Sequence, residues 1–319
     1  MMTVVRQVAA RFVQSVLTLW LVTVLFFIVI EALPGDFAVQ SAGQGTTAEM
    51  MDATRQRLEL FASAPERYFK WLAGALTGDL GMSWWARQPI VSLIGERLWH
   101  SFWLFGWAAA LTVPLSLVLA LLATYWQHSW FDRVSSMTSL AVMSIPEFII
   151  AYTLMSLLTV QFDVFPAYTM FAIDMPWTER LYATVLPVAS LVAVTVTPMF
   201  RLIRAVLIRV MGNEYIEMAV IKGLTRRRIL LHHALPNTLG PIANAMVLGM
   251  ANLFFGLVVI EVIFSYPGLG KLMVTAAVLH DVPLVQACAL IAATLDITLN
   301  FLADMIGILA NPRLRYPSS

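Results

Sequence analysis

The chain has 319 residues, of which 60% are hydrophobic and only 12% are charged, and its formal net charge is +1. The mean hydropathy of +0.79 indicates that lipid surrounds much of the protein. The balanced charge gives no whole-chain reason to expect nucleic acid or an acidic substrate as a partner. The single cysteine, Cys288, excludes an intrachain disulfide.

Six apolar stretches are long enough to cross a bilayer, which takes roughly 20 mostly apolar residues. The polar alternation of a membrane barrel is absent, so each stretch is predicted to be a helix that pairs its own backbone groups. Glu147 interrupts the third stretch, and Asp296 and Asp304 lie in the last. The sequence therefore predicts an all-α integral membrane protein with six transmembrane helices, at residues 12–30, 101–127, 137–158, 181–200, 240–260 and 285–308.

The first stretch has a second interpretation, because Arg6 and Arg11 followed by an apolar run also describe a secretory signal peptide. Its uncharged run is longer than the roughly 7 to 15 residues of a signal core, and LPGD at 33–36 stands where small cleavage-site residues would be expected. We therefore predict that residues 1–33 form a retained anchoring helix.

Lysines and arginines of the connecting segments gather on one side of the predicted membrane. Because successive spans cross the membrane in opposite directions, this side receives the N-terminus, residues 128–134, residues 201–239 and the tail at 312–319. It is predicted to be cytoplasmic because positively charged loops stay inside. The opposite side receives residues 34–98, which contain six basic and seven acidic residues. This segment is predicted to form a small extracytoplasmic cap.

A short helix is predicted within the cytoplasmic stretch 213–237. Asn213 suits the N-cap, two glutamates lie near the positive helix end, and Gly223 stands where a helix ends in a left-handed turn. Thr225 can cap a second, basic helix. The first helix, of about nine residues, would be roughly 14 Å long. From these features alone, an element that rests on anionic lipid and an element that binds a partner protein explain the stretch equally well.

The residues in this stretch also carry a family resemblance. Glu217, Ala219, Gly223, Leu235 and Pro236 have the spacing of the EAA loop of permease subunits in bacterial ABC importers, and the stretch is similar to the version in the dipeptide/oligopeptide permease family. His233 departs from the aliphatic residue of many other importer families. The order and spacing of further matching strings extend the resemblance over nearly the whole chain: LPGD at 33–36, GDLGMSW at 78–84, SIPEF at 144–148, EVIFSYPGLGKL at 261–272, and Asn300 with Asp304 before NPRLR.

The resemblance implies a type I importer permease fold with an anchoring helix, a cap and a five-helix core over residues 99–311. It implies a bacterial inner-membrane subunit that pairs with a second, homologous permease subunit, binds two ATPase subunits through its cytoplasmic loop, and receives substrate from an extracytoplasmic binding protein. Tyr215, Met218 and Ala219 are expected to fill a groove on the ATPase. The implied coupling residues are Tyr215, Glu217, Met218, Ala219, Gly223, Leu235 and Pro236.

No nucleotide or metal site is predicted in this chain, which is therefore predicted to be a translocation subunit and not an enzyme. GLGK at 268–271 differs from GxxxxGK[ST], because residue 265 is not glycine and residue 272 carries no hydroxyl. ATP and Mg²⁺ are expected on the partner ATPase subunits. His232 and His233 are adjacent and diverge on a helix, so they suggest no metal-ligand cluster.

The intramembrane acids leave an alternative function, an ion-coupled secondary carrier or a membrane-embedded enzyme. Acids at membrane depth are costly and are functional candidates, but neither a catalytic constellation nor an inverted repeat accompanies them. Glu147 and Asp296 depart from the family pattern. They either stitch helices together by hydrogen bonds or line a substrate pathway that favours cations. The substrate stays open among peptides, glutathione, opines, nickel chelates and oligosaccharides.

Overall fold

The structure is a computed structural model, and it describes residues 2–32, 38, 47–58, 61–166 and 175–310. The LPGD string and the predicted tail at 312–319 lie outside the described residues. The described helices are α1 (Met2–Glu31), α2 (Ala48–Arg57), α3 (Ala64–Leu76), α4 (Ile90–Tyr125), α5 (Trp130–Met143), α6 (Glu147–Gln161), α7 (Trp177–Met211), α8 (Glu214–Ile221), α9 (Arg226–Ile263), α10 (Leu269–Val278) and α11 (Val282–Ala310).

Five of the six predicted spans are long apolar helices, namely α1, α4, α7, α9 and α11. The third span differs from the prediction of one helix over 137–158, because α5 and α6 meet at an angle of 99°. Pro146 lies at the break between them. Proline disfavours helical geometry in the residue before it and has no N–H of its own, so the helix ends there and a new one begins.

The centre of the bundle is formed by α4, α7 and α9, with α11 packed against α9. One apolar cluster joins the three central helices, and it includes Leu104, Leu191 and Leu253, which are fully or nearly fully buried. Small residues let these helices approach closely, as a Cβ on Gly249 would collide with the side chain of Met199. The anchoring helix α1 packs on α11 at the edge of this core.

Polar contacts tie the helices together at the end of the bundle where α4 finishes. Arg204 of α7 donates a hydrogen bond of 2.8 Å from Nε to the buried carboxylate of Asp132 in α5, and its Nη2 forms an ion pair with the same oxygen at 2.7 Å. Arg226, the first residue of α9, donates to the carbonyl oxygen of Thr124 at 3.1 Å. These contacts fix the starts of α5 and α9 beside the end of α4.

The opposite end of the bundle is closed by a contact between segments far apart in the sequence. The buried carboxylate of Asp281 accepts hydrogen bonds from the hydroxyl of Ser83 at 2.6 Å and from the backbone N–H of Trp85 at 3.0 Å. Its other oxygen accepts the N–H of Leu284 in the first turn of α11 at 3.3 Å. The segment before α4 is thereby attached to the start of α11.

Candidate functional site

Helix α8 begins and ends as its sequence predicts. Asn213 has the extended conformation of a cap residue, with φ −82° and ψ 149°, and its carbonyl oxygen accepts the N–H of Ile216 at 2.9 Å, although its side chain makes no capping hydrogen bond. Gly223 has φ +78°. The N–H of Gly223 donates to Val220 at 2.9 Å and the N–H of Leu224 donates to Ala219 at 3.2 Å. These two bonds form a Schellman motif, which places glycine in the left-handed position.

The two faces of α8 have different surroundings. Ile216 is 2% exposed and Ala219 is 7% exposed, and both belong to an apolar cluster with Leu207 of α7 and Ile229 of α9. Tyr215 and Met218 lie on the exposed face, together with the exposed Glu217. Ala219 therefore seats the helix on the rest of the protein. This placement corrects the expectation that Ala219 reaches outward with Tyr215 and Met218.

The predicted second helix of this stretch is the beginning of α9, which continues from Arg226 through the membrane span. Thr225 occupies its N-cap position but makes no side-chain capping bond. Residues Ile229–Ala234 form a turn of π-helix just before Leu235 and Pro236. Because Pro236 cannot donate a backbone hydrogen bond, the widened turn accommodates it without breaking the helix. Leu235 packs against the same apolar cluster as α8, whereas Pro236 is exposed.

Helix α8 is a short element between the end of α7 and the start of α9. Large apolar side chains are exposed on it although it lies outside the spans, and such exposure is characteristic of an interaction surface. Since the buried face of α8 packs with both α7 and α9, a force applied to α8 can move these helices as a unit. The exposed apolar side chains are Tyr215 at 43%, Met218 at 57%, Val220 at 59% and Ile221 at 77%.

Glu147 is the first residue of α6 and is half-buried in the central bundle. Its carboxylate lies against α9, where a Cβ on Gly256 would be 3.1 Å from Oε2 and 3.7 Å from the side chain of Leu191. Within the described parts of the chain, this carboxylate has no hydrogen-bonding or ion-pairing partner. Glu147 thus faces the contact between α7 and α9, near the bend at Pro146.

Asp296 occupies a different interface. It lines a cavity of about 450 Å³ between α11 and the anchoring helix α1. Arg11 of α1 pairs with Asp304 in the same cavity at 3.4 Å. Because Glu147 packs against α9, the structure does not bring the two proposed pathway acids into one site.

Glu261 is a residue whose role the sequence did not reveal. It is completely buried in α9, and its Oε1 accepts a hydrogen bond of 2.5 Å from the hydroxyl of Ser101 in α4. Its Oε2 accepts the N–H groups of Gly270 at 2.7 Å and Lys271 at 3.2 Å, which open α10. Gly268 is the sequence signal that could have pointed to this buried carboxylate, because a Cβ at that position would overlap it.

Comparison with known proteins matches most of the chain to one family. The model described as binding-protein-dependent transport system inner membrane component matches residues 113–316, and the one for the N-terminal part of such membrane components matches residues 4–102. The chain is 33% identical to a putative peptide transport system permease protein of Brucella abortus, over 96% of this chain and 98% of the relative. It is 30% identical to a glutathione transport system permease protein of Pectobacterium atrosepticum, over 94% of this chain and 95% of that protein. A glutathione transport system permease protein of Escherichia coli K12 is 28% identical over 97% and 98% of the two chains.

Proposed function

The chain belongs to the family of binding-protein-dependent transport system inner membrane components, and from this premise we propose how it works as a permease subunit of an ABC importer. It is a multi-pass membrane protein of a family of transport permeases, not of enzymes, and such permeases act with a binding protein and an ATPase. It forms half of the translocation pathway, beside a second, homologous permease subunit. Two ATPase subunits bind ATP and Mg²⁺ and drive the transport cycle.

Helix α8 is the contact with one ATPase subunit. The observation that carries this assignment is the division of α8 into a buried face, with Ile216 and Ala219, and an exposed apolar face with Tyr215 and Met218. The buried face transmits motion to α7 and α9, and the exposed face enters the ATPase groove. Gly223 fixes the turn by which the chain returns to α9.

The assignment of α8 to the ATPase also sets the orientation of the protein in the membrane. The end of the bundle that carries α8 is cytoplasmic, together with both chain termini, because it holds the basic segments of the sequence. The membrane is the bacterial inner membrane, which fits the description of the matching family. The end that contains Asp281 and the segment before α4 faces the binding protein.

The transported solute is a peptide or a related small solute. The relatives carry the names of peptide and glutathione transport permeases, and glutathione is itself a small peptide. The binding protein makes the first selection. Within this chain, Glu147 is the stronger candidate for contact with the solute, since it lies among the central helices, whereas Asp296 lies against the anchoring helix.

Site-directed cross-linking tests the coupling assignment. A cysteine in place of the exposed Met218, introduced in a Cys288→Ser background, is expected to cross-link to the ATPase in the assembled transporter. A cysteine in place of the buried Ile216 on the same helix is the matched control and is expected to remain unreactive. Equal cross-linking of the two positions, or failure of the Met218→Cys variant to react in an assembled and active transporter, would contradict the proposed docking face.

A further inference from the structure

Helix α3 carries a stripe of apolar side chains that the described protein leaves uncovered. Phe69 is 61% exposed and Leu76 is 81% exposed. Between them, Ala73 is exposed and Leu72 is half-buried. Their spacings of three and four residues place all four on one side of the helix. Since such a stripe is costly in water, an apolar partner is expected to cover it.

A different side of α3 packs on the anchoring helix α1. The hydroxyl of the buried Tyr68 lies 2.9 Å from that of Thr23, and its ring centroid lies 5.4 Å from that of Phe27. Arg67 forms an ion pair with Glu31, the last residue of α1. These contacts hold α3 beside the final turns of α1 and fix its height relative to that span.

The contacts with α1 place α3 below the charged end of the span. Thr23 and Phe27 belong to the uncharged run of α1, which continues to Ile30. At a rise of 1.5 Å per residue, Thr23 lies about 12 Å and Phe27 about 6 Å before Glu31 along the helix axis. Tyr68 therefore contacts α1 at the depth of the hydrocarbon and not above it.

Lipid borders α1 at this depth. Leu25 and Ile28 are 60% and 58% exposed, and α1 packs on α11 at the edge of the bundle. Acyl chains cover such side chains on a membrane span as well as other apolar side chains would. A helix attached to the same turns of α1 is therefore bordered by acyl chains too.

The charges of α3 fit a helix that is partly inserted in the membrane. Glu66, Arg67 and Lys70 all lie in its first half, whereas residues 71–78 contain no charge. Helices that lie in the membrane interface combine charged side chains near the headgroups with an apolar face that enters the acyl chains. Helix α2 differs, because it buries no residue and contains Glu49, Asp52, Arg55 and Arg57.

We propose that α3 is an interfacial helix of the bilayer, and that Phe69, Leu72, Ala73 and Leu76 insert among the acyl chains of the leaflet at the end of the bundle opposite α8. Helix α2 remains in water above it. The cap segment is thus anchored in the membrane by α3 and presents α2 to the solution. This inference needs only the membrane spans and does not depend on the coupling assignment of α8.

The end of α3 passes this anchoring on to the core. Gly78 has φ +86°, and its N–H donates to Ala75 at 3.1 Å while the N–H of Asp79 donates to Gly74 at 2.9 Å. This Schellman motif ends the helix and turns the chain toward Ser83, which is bonded to Asp281. Insertion of α3 therefore also sets the height of the segment that leads into α4.

Spin labelling of the assembled transporter in phospholipid vesicles tests the insertion. Ala73→Cys in α3 and Ala53→Cys in α2 are matched changes of exposed alanines, each made in a Cys288→Ser background and labelled with a nitroxide. The label in α3 is expected to collide more with oxygen, which concentrates in hydrocarbon, than with a water-soluble nickel chelate. The label in α2 is expected to show the reverse order. A label at residue 73 that collides more with the chelate, or with neither reagent, would overturn the proposal.

Photocross-linking identifies what covers the stripe. A photoreactive benzoylphenylalanine in place of Phe69 keeps an aromatic side chain at this exposed position, and Leu76 provides a second position if that change prevents folding. Mass spectrometry is expected to find a phospholipid adduct at either position and none for the same residue in place of Ala53. An adduct with the second permease subunit or the binding protein, or absence of a lipid adduct, would contradict insertion. Copurification of the ATPase reports separately on the coupling assignment.

Discussion

The hydroxyl of Ser101 donates a 2.5 Å hydrogen bond to Glu261, although 160 residues separate the two side chains in the sequence. Ser101 also accepts the N–H of Leu269 at 2.8 Å, so a small polar network joins α4, α9 and the start of α10. Every donor in this network points to a buried acceptor. The network therefore fixes α10, a helix too short to span the membrane, onto the end of two spans.

Replacement of Glu261 by alanine is expected to destabilise the protein strongly. The change removes the acceptor of Ser101 and of two backbone N–H groups. Since a buried donor without a partner costs about 1 to 3 kcal/mol, the loss should reach at least about 3 kcal/mol. Glu261→Gln keeps an acceptor oxygen for the backbone and can donate to Ser101, so it should cost about 1 kcal/mol or less. Thermal unfolding in detergent compares the variants, and equal stability of the alanine and glutamine forms would contradict this role.

The sequence predicted those features that depend on local chemistry. The apolar run of each long helix and the left-handed turn at Gly223 follow from hydropathy and from the freedom of glycine. Glu261 was not predicted, because its partner Ser101 lies 160 residues away in the chain and Gly268 alone gives no indication of that partner. The inward placement of Ala219 had a local signal, namely its spacing of three residues from Ile216, which puts both on one helix face.

The bend between α5 and α6 was missed for another reason. Hydropathy does not depend on the direction of a helix, so the apolar residues on both sides of Pro146 were predicted as one span. The direction is set by packing, since α6 contacts both α7 and α9 whereas α5 contacts α7 near Arg204. Proline supplies the place of the break but not its angle of 99°.

Deletion of residues 47–62 is expected to impair substrate delivery without preventing assembly. Helix α2 within this segment buries no residue, so its loss should leave the core intact. In the proposed orientation the segment faces the binding protein. We expect uptake to fall at least about tenfold while the ATPase still copurifies. Loss of copurification instead would show that the segment supports the fold.

Neutralisation of Glu147 tests its role in the pathway. If this half-buried carboxylate contacts the solute, Glu147→Gln should slow the uptake of a cationic peptide more than that of a neutral one, by roughly fivefold or about 1 kcal/mol. Asp296→Asn is the matched control, because Asp296 lies against α1. Uptake rates are compared at equal expression. Equal effects on both peptides would leave Glu147 as a packing residue near Gly256.

Substitution of Gly223 tests the turn behind α8. A Cβ at this position meets no atom within 4 Å, so the cost of a larger residue comes from the backbone at φ +78° and not from crowding. Gly223→Val should cost about 1 to 2 kcal/mol or more, whereas Gly223→Asn should cost less because asparagine tolerates the left-handed region. Uptake and substrate-stimulated ATP hydrolysis should therefore fall more in Gly223→Val than in Gly223→Asn. Equal activity of the two variants would show that the turn does not limit coupling.

The exposed and buried faces of α8 should respond differently to substitution. Met218→Ala removes an exposed side chain, so it should leave the stability of the permease unchanged but weaken ATPase binding by about 1 to 2 kcal/mol, or roughly five- to thirtyfold. Ala219→Trp should instead displace α8 from its seat beside Ile216 by overpacking. It should abolish stimulated ATP hydrolysis while the subunit still inserts in the membrane.

A helix that merely rests on anionic lipid would give the opposite pattern. Its attachment would depend on basic residues, so Lys222→Gln would disturb it and Met218→Ala would not. The test compares ATPase copurification and stimulated hydrolysis in reconstituted membranes for Met218→Ala, Ala219→Trp and Lys222→Gln together. If Met218→Ala and Ala219→Trp lower both readouts while Lys222→Gln stays near wild type, docking is supported. The ATPase then requires the apolar contact and the packing of α8 on the rest of the permease. Wild-type values for Met218→Ala and Ala219→Trp would remove α8 from the coupling path.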